Sequence, residues 1–122
     1  MSGTDVVIVD SGGANLASLG FALDRLGARS KVSSDARTIA SAARVMLPGV
    51  GAAADAMTRL HELQLVDCLR SLQQPLLGIC LGMQLLFTHS AEGNTDCLGI
   101  IAGSVGRLRG GPRRPVPHMG WN

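Results

Sequence analysis

The amino-acid sequence predicts an α/β fold, an open and mostly parallel sheet with helices on both faces. Three observations carry that expectation. Short apolar runs rich in β-branched residues recur without polar alternation, the composition of strands buried on both sides. Segments with helical leucine spacing alternate with those runs, which implies right-handed crossovers and parallel pairing. Hydrophobic residues make up 46% of the 122 and aromatic ones only 2%, so the core is built from Leu, Val, Ile, Ala and Met, as suits a helix-covered sheet. The length is that of one domain, and no internal repeat is visible.

Residues 5–10, "DVVIVD", form the first strand, closed by "SGG". Leu16, Leu19, Phe21, Leu23 and Leu26 then follow helical spacing up to Gly27, a residue suited to a C-terminal cap. "ARSKV" is a second, shorter strand, and "SSDARTIASAA" holds a weak small-residue helix. Residues 44–51, "RVMLPGVG", make a third strand stopped by Pro48. Residues 52–72 are helical with a break near 61–64, and Pro75 ends them. "PLLGI" is the fourth strand, with "LGMQLLFTH" as the helix behind it. After the polar loop "SAEGNTD", residues 97–108 have strand composition interrupted by glycines, and Pro112, Pro115 and Pro117 then oppose regular structure.

Several function classes are disfavoured by composition. The formal charge is only +2, and the one basic cluster, "RLRGGPRRP" at 107–115, lacks interleaved aromatics and reads as a solvated loop rather than a nucleic-acid surface. Cys68, Cys80 and Cys97 show no metal-ligand spacing, so no metal and no cofactor is expected. Neither a cleavable leader nor a bilayer-length apolar run is visible, and the expected setting is the reducing cytoplasm, without a membrane partner. "DSGGAN" lacks the third glycine of a dinucleotide fingerprint.

The chemistry-bearing motif is "GICLG". Cys80 has glycine two residues before and two residues after it, the pattern of a sharp strand-to-helix turn that lifts a nucleophile above a sheet edge. A helix starting there would favour thiolate. "LPGVG" ends the neighbouring strand, and NH groups near Val50 and Gly51, with that of Leu81, could meet a developing oxyanion. Gln84 follows Cys80 by one helical turn and shares its face. Cys68 and Cys97 read as structural.

A cysteine nucleophile needs an oriented histidine. On a continuous helix His89 would lie about 13 Å from Cys80 on the opposite face. His61 belongs to another helix, and His118 has no visible orienting acid, so no histidine is a convincing base.

"DSGGANLASL", "LPGVG", "GICLGMQLLF" and "PHMGWN", in that order over nearly the whole chain, resemble the glutaminase subunits of imidazole glycerol phosphate synthase, within the class I (triad) glutamine amidotransferases. The resemblance implies a flavodoxin-like fold and attack by Cys80 on the side-chain amide of glutamine. It further implies a glutamyl thioester, and ammonia passed to a cyclase subunit in a heterodimer of histidine biosynthesis. It assigns Val50 and Gly51 to the oxyanion strand, Gly49 and Gln84 to the glutamine pocket, and Asn15, His118, Met119, Trp121 and Asn122 to the side facing the partner. The family completes its triad with histidine and glutamate in a later HPE-type motif, which this sequence does not contain. Residues 1–122 are therefore expected to be a single truncated domain lacking the C-terminal elements, inactive alone, with apolar sheet surface exposed. A noncatalytic binding module of the same fold is the alternative. Another cysteine-elbow hydrolase would need a histidine directly after the elbow, where Leu81 stands.

Overall fold

The computed structural model describes residues 5–12 and 15–120. Strand β1, Val6–Val9, is buried along its whole length, as an unalternating valine-isoleucine run requires. Helix α1, Leu16–Arg25, begins at Asn15, whose side chain accepts from the Ser18 amide, and closes at Gly27. Strand β2 is Ser30–Ser33, and helix α2, Ala36–Ala40, is capped by Asp35. Strand β3, Arg44–Gly49, leads to helices α3, Ala53–Glu62, and α4, Val66–Arg70, separated by a kink at Gln64 with φ +58°. Strand β4, Leu76–Cys80, follows Pro75.

These strands form one parallel sheet in the order β2-β1-β3-β4. The first crossover steps to one side of β1 and the later ones to the other. Right-handed connections therefore put α1 on one face and α2, α3 and α4 on the opposite face. The core lies under the second group: Val7, Val9, Val45 and Leu47 pack with Ile39, Met57, Leu60 and Leu69.

Beyond β4 the chain departs from the sequence reading. The helix expected over 81–89 is one turn, α5, Leu81–Gln84, after which Phe87–Ser90 forms strand β5. The carbonyls of Leu85, Leu86, Phe87 and Thr88 accept, each at 2.9 Å, from the amides of Leu98, Ile101, Gly99 and Cys97, which holds this stretch extended against residues 97–101 instead of coiled on α5. Phe87 and Thr88 are also better strand than helix formers. The "SAEGNTD" stretch is likewise no open loop. It turns back through β6, Thr95–Asp96, antiparallel to β5, while β7, Ile101–Val105, runs parallel to β5. Only these five residues of the 97–108 stretch form a strand.

Side chains tie this second, three-stranded sheet to the first. Arg70 Nε donates to the Leu98 carbonyl at 2.7 Å. Glu92 Oε1 accepts from the Ala53 amide at 2.8 Å, capping the start of α3, which has no local cap. Among the described residues no helix is long and apolar enough to cross a membrane.

Candidate active site

Cys80 is the last residue of β4 and pairs in register with Gly49, the last residue of β3. Its backbone takes φ +57° and ψ −123°, a region that costs a non-glycine residue on the order of 1–3 kcal/mol. Neighbouring glycines hold it there by letting α5 press against the sheet. A Cβ on Gly82 would overlap the Leu47 carbonyl, and one on Gly78 would lie 2.6 Å from Met83 Cα. With no side chain at either position the chain reverses within two residues, and Leu81 turns into the core while Cys80 stays exposed.

The same close approach fixes β3. A Cβ on Gly49 would stand 3.0 Å from the Gly82 amide, so the end of β3 lies directly against the start of α5. Val50 follows, exposed, and Gly51 takes φ +92°. Among the described residues, the amides of Val50, Gly51 and Leu81 donate to no carbonyl in the turns, loops and caps. They lie at the carboxyl ends of adjacent strands, where open parallel sheets bind ligands.

Burial pushes the thiols of Cys68 and Cys97 up from their ordinary value. Cys68 Sγ donates to the Ala36 carbonyl, and Cys97 lies in the core, so both are packing groups.

Gln84 closes α5 and lines a cavity of about 470 Å³ with Ser90, Glu92, Val105 and Arg107. Cys80 is not among its walls, so the one-turn spacing alone does not bring sulfur and amide into one hollow. Sequence reasoning missed Glu92, which it left within the polar loop. Its only signal was a carboxylate beside Gly93 and Asn94, a turn able to bring it back onto the sheet.

The histidines are spread out. His61 stands exposed at the end of α3, and His118 is exposed near the C-terminus. His89 sits on β5 with Nδ1 3.1 Å from Asp96 Oδ1. His89 thus lies on a strand and not on a continuation of α5, and its Nδ1 engages Asp96. Among the described residues no histidine hydrogen-bonds Cys80. No group of His, Cys, Asp and Glu there could hold a metal ion.

Of the residues the resemblance assigns to a partner-facing side, Asn15 caps α1, and His118 and Met119 are exposed. Trp121 and Asn122 lie outside the described residues.

A family model described as glutamine amidotransferase class-I matches residues 7–122. The imidazole glycerol phosphate synthase subunit HisH of Xylella fastidiosa (strain Temecula1) is 56% identical over 119 residues, 98% of this chain and 60% of that protein. Its counterpart in Xanthomonas euvesicatoria pv. vesicatoria is also 56% identical, with the same coverage. This chain therefore spans about 60% of the length of these curated relatives. A crystal structure of a glutamine amidotransferase matches with a TM-score of 0.72 at 21% identity, over 84% of this chain and 56% of that one. That likeness is one of fold.

Proposed function

The chain belongs to the class-I glutamine amidotransferase family, and from that premise we propose that it serves as the glutaminase subunit of an imidazole glycerol phosphate synthase, delivering ammonia to a cyclase subunit. The observation that carries the reading is the elbow at Cys80, an exposed sulfur held at positive φ between glycines whose neighbours leave no room for a side chain.

The chemistry follows from that geometry. Cys80 sulfur attacks the carboxamide carbon of glutamine, and the carbonyl oxygen gains negative charge. The amides of Leu81 and of the Val50–Gly51 segment are the fixed dipoles that stabilise it. Collapse of the tetrahedral adduct breaks the C–N bond, the nitrogen takes a proton and leaves as ammonia, and a glutamyl thioester remains for water to cleave. Gln84, one helical turn from Cys80, offers its amide to the substrate from the rim of a cavity that Glu92 and Arg107 also line and whose walls do not include Cys80.

Proton transfer is the step these residues do not supply, since Cys80 has no histidine partner among those described. Residues 1–122 by themselves are accordingly expected to show negligible glutaminase turnover, as read by ammonia release. That same observation favours a second reading, a noncatalytic module that binds glutamine or the partner. Labelling with a glutamine-mimicking electrophile, with and without the cyclase subunit, separates the two. An adduct on Cys80 that glutamine protects supports the glutaminase reading. An adduct on Cys68 or Cys97 overturns the site. Glutamine binding without any Cys80 adduct supports the noncatalytic module.

A further inference from the structure

The oxyanion donors sit on a stretch that the sheet does not hold. The last register pair of β3 is Gly49 with Cys80, and among the described residues the amides of Val50, Gly51 and Ala52 donate to no carbonyl in the turns, loops and caps. The first tethered amide beyond the strand is that of Ala53, which donates at 2.8 Å to Oε1 of Glu92, 39 positions later in the chain. Ala52, at the N-cap position, has no side chain that could accept in its place. Glu92 is itself held on both sides. Its amide donates to the hydroxyl of fully buried Ser90 at 3.2 Å, and its carbonyl accepts from Thr95 Oγ1 at 3.1 Å. The next residue, Gly93, takes φ +67°, and a Cβ there would lie 3.4 Å from Ala54 Cβ. The turn between β5 and β6 is thus packed against the first turn of α3 as well as bonded to it.

We propose, resting on the glutaminase reading, that Glu92 is a positioning residue for the oxyanion segment: by fixing the Ala53 amide it sets the path of Val50 and Gly51 between β3 and α3, and hence the direction of their amides. Burial of Ala53, Ala56, Met57 and Leu60 holds α3 as a body. The residues before it have no such anchor, since Val50 is 48% exposed and nothing lies within 4 Å of a Cβ position on Gly51. Three residues separate Gly49 from Ala53, so a displacement of about 1 Å at the start of α3 is carried to the donors, where a misplacement of that size costs on the order of 10²-fold in rate.

Acylation of Cys80 by 4-nitrophenyl acetate reads the donors without calling on a base. Sulfur attacks the ester carbon, the carbonyl oxygen becomes an oxyanion, and collapse breaks the C–O bond, leaving an acetyl thioester and expelling 4-nitrophenolate unprotonated. Alkylation by iodoacetamide is the reference, because displacement of iodide develops no oxyanion. Glu92→Ala should slow acylation about tenfold or more while alkylation stays within about twofold of wild type. Ala53→Pro should do the same: proline at the first helical position keeps the helix but has no NH, and Ala52 already has the extended backbone, φ −90° and ψ 140°, that suits a residue before proline. The double variant should be no slower than either single one, since both remove one bond. Glu92→Gln, whose side-chain oxygen still accepts, should recover acylation to within about threefold of wild type. Asp55→Asn, at an exposed first-turn acid of α3 that does not cap Ala53, should leave the ratio of the two rates unchanged. If Glu92→Ala and Ala53→Pro acylate as fast as wild type, or lose acylation and alkylation alike, the positioning role is wrong while the glutaminase reading stands. A loss with Glu92→Ala that Ala53→Pro does not share makes Glu92 a ligand contact of the cavity and also overturns the proposal. A wild-type Cys80 that acylates no faster, relative to alkylation, than the thiol of N-acetylcysteine has no oxyanion donors, and the glutaminase reading falls with it.

Discussion

Side chains along β1, β3 and β4 alternate between the two faces of the parallel sheet, and those faces are covered very differently. On one, Val7, Val9, Val45 and Leu47 are dry beneath α2, α3 and α4, and Leu81 and Leu85 join them from the elbow. On the other, Val6 and Ile8 are buried at the centre, but Leu77 of β4 is 56% exposed. Helix α1 on that side has no fully buried residue, with Phe21 63% and Leu26 just beyond it 80% exposed. The closed face builds the candidate site, because the residue that turns inward beside Cys80 is anchored there. The open face carries surplus apolar surface of the kind that a further element or another molecule covers.

The largest expected effect separates the faces directly. Leu60→Ala, in the closed core, should cost about 4 kcal/mol, and Leu77→Ala, on the open face, less than about 0.5 kcal/mol, as read by urea unfolding. Equal losses would mean that the faces share one core. Next is Gly82→Ala, whose new methyl meets the Leu47 carbonyl. It should destabilise by about 3 kcal/mol and slow alkylation of Cys80, because the elbow can no longer close on β3.

Sedimentation at increasing concentration should show association of the chain through the open face. Phe21→Lys combined with Leu77→Lys should suppress it without lowering the urea midpoint; unchanged association would place the sticky surface elsewhere. Thiol chemistry then sharpens the contrast within the closed side. Brief neutral-pH treatment with iodoacetamide should modify exposed Cys80 at least about tenfold faster than Cys68 or Cys97, whose thiols burial holds protonated. Peptide mapping reads this out.

The smallest effect is acid sensitivity near the β2 edge. The backbone hydrogen bond from Arg29, aided by its guanidinium, holds the Asp5 carboxyl below its ordinary 3.8, and hydrogen bonds from Thr38 do the same for Asp35. A carboxyl with a lowered folded value contributes stability above 3.8, and that contribution is lost as pH falls further through the folded value. Asp35 is exposed and Asp5 partly so, and solvent screens both, so the loss is slight. Comparing unfolding midpoints at about pH 5 and about pH 3 for wild type and for Asp5→Asn with Asp35→Asn should show the wild type losing slightly more.

Much of this architecture is written locally. The parallel four-stranded core, its helix alternation and the break between α3 and α4 follow from apolar period, caps and prolines, signals that neighbouring residues carry themselves. The elbow is legible for the same reason, since the glycines at 78 and 82 are spaced around Cys80 in the chain. What could not be read is whatever depends on a distant competitor for backbone hydrogen bonds. Residues 81–89 look helical in isolation, but residues 85–88 pair with residues 97–101, which draws the chain beyond α5 into a strand that carries His89 and leads Glu92 back to the start of α3. The open face is decided in the same way. Phe21 and Leu77 have core composition, and their exposure reflects what packs on them across the fold, a property that no local pattern encodes.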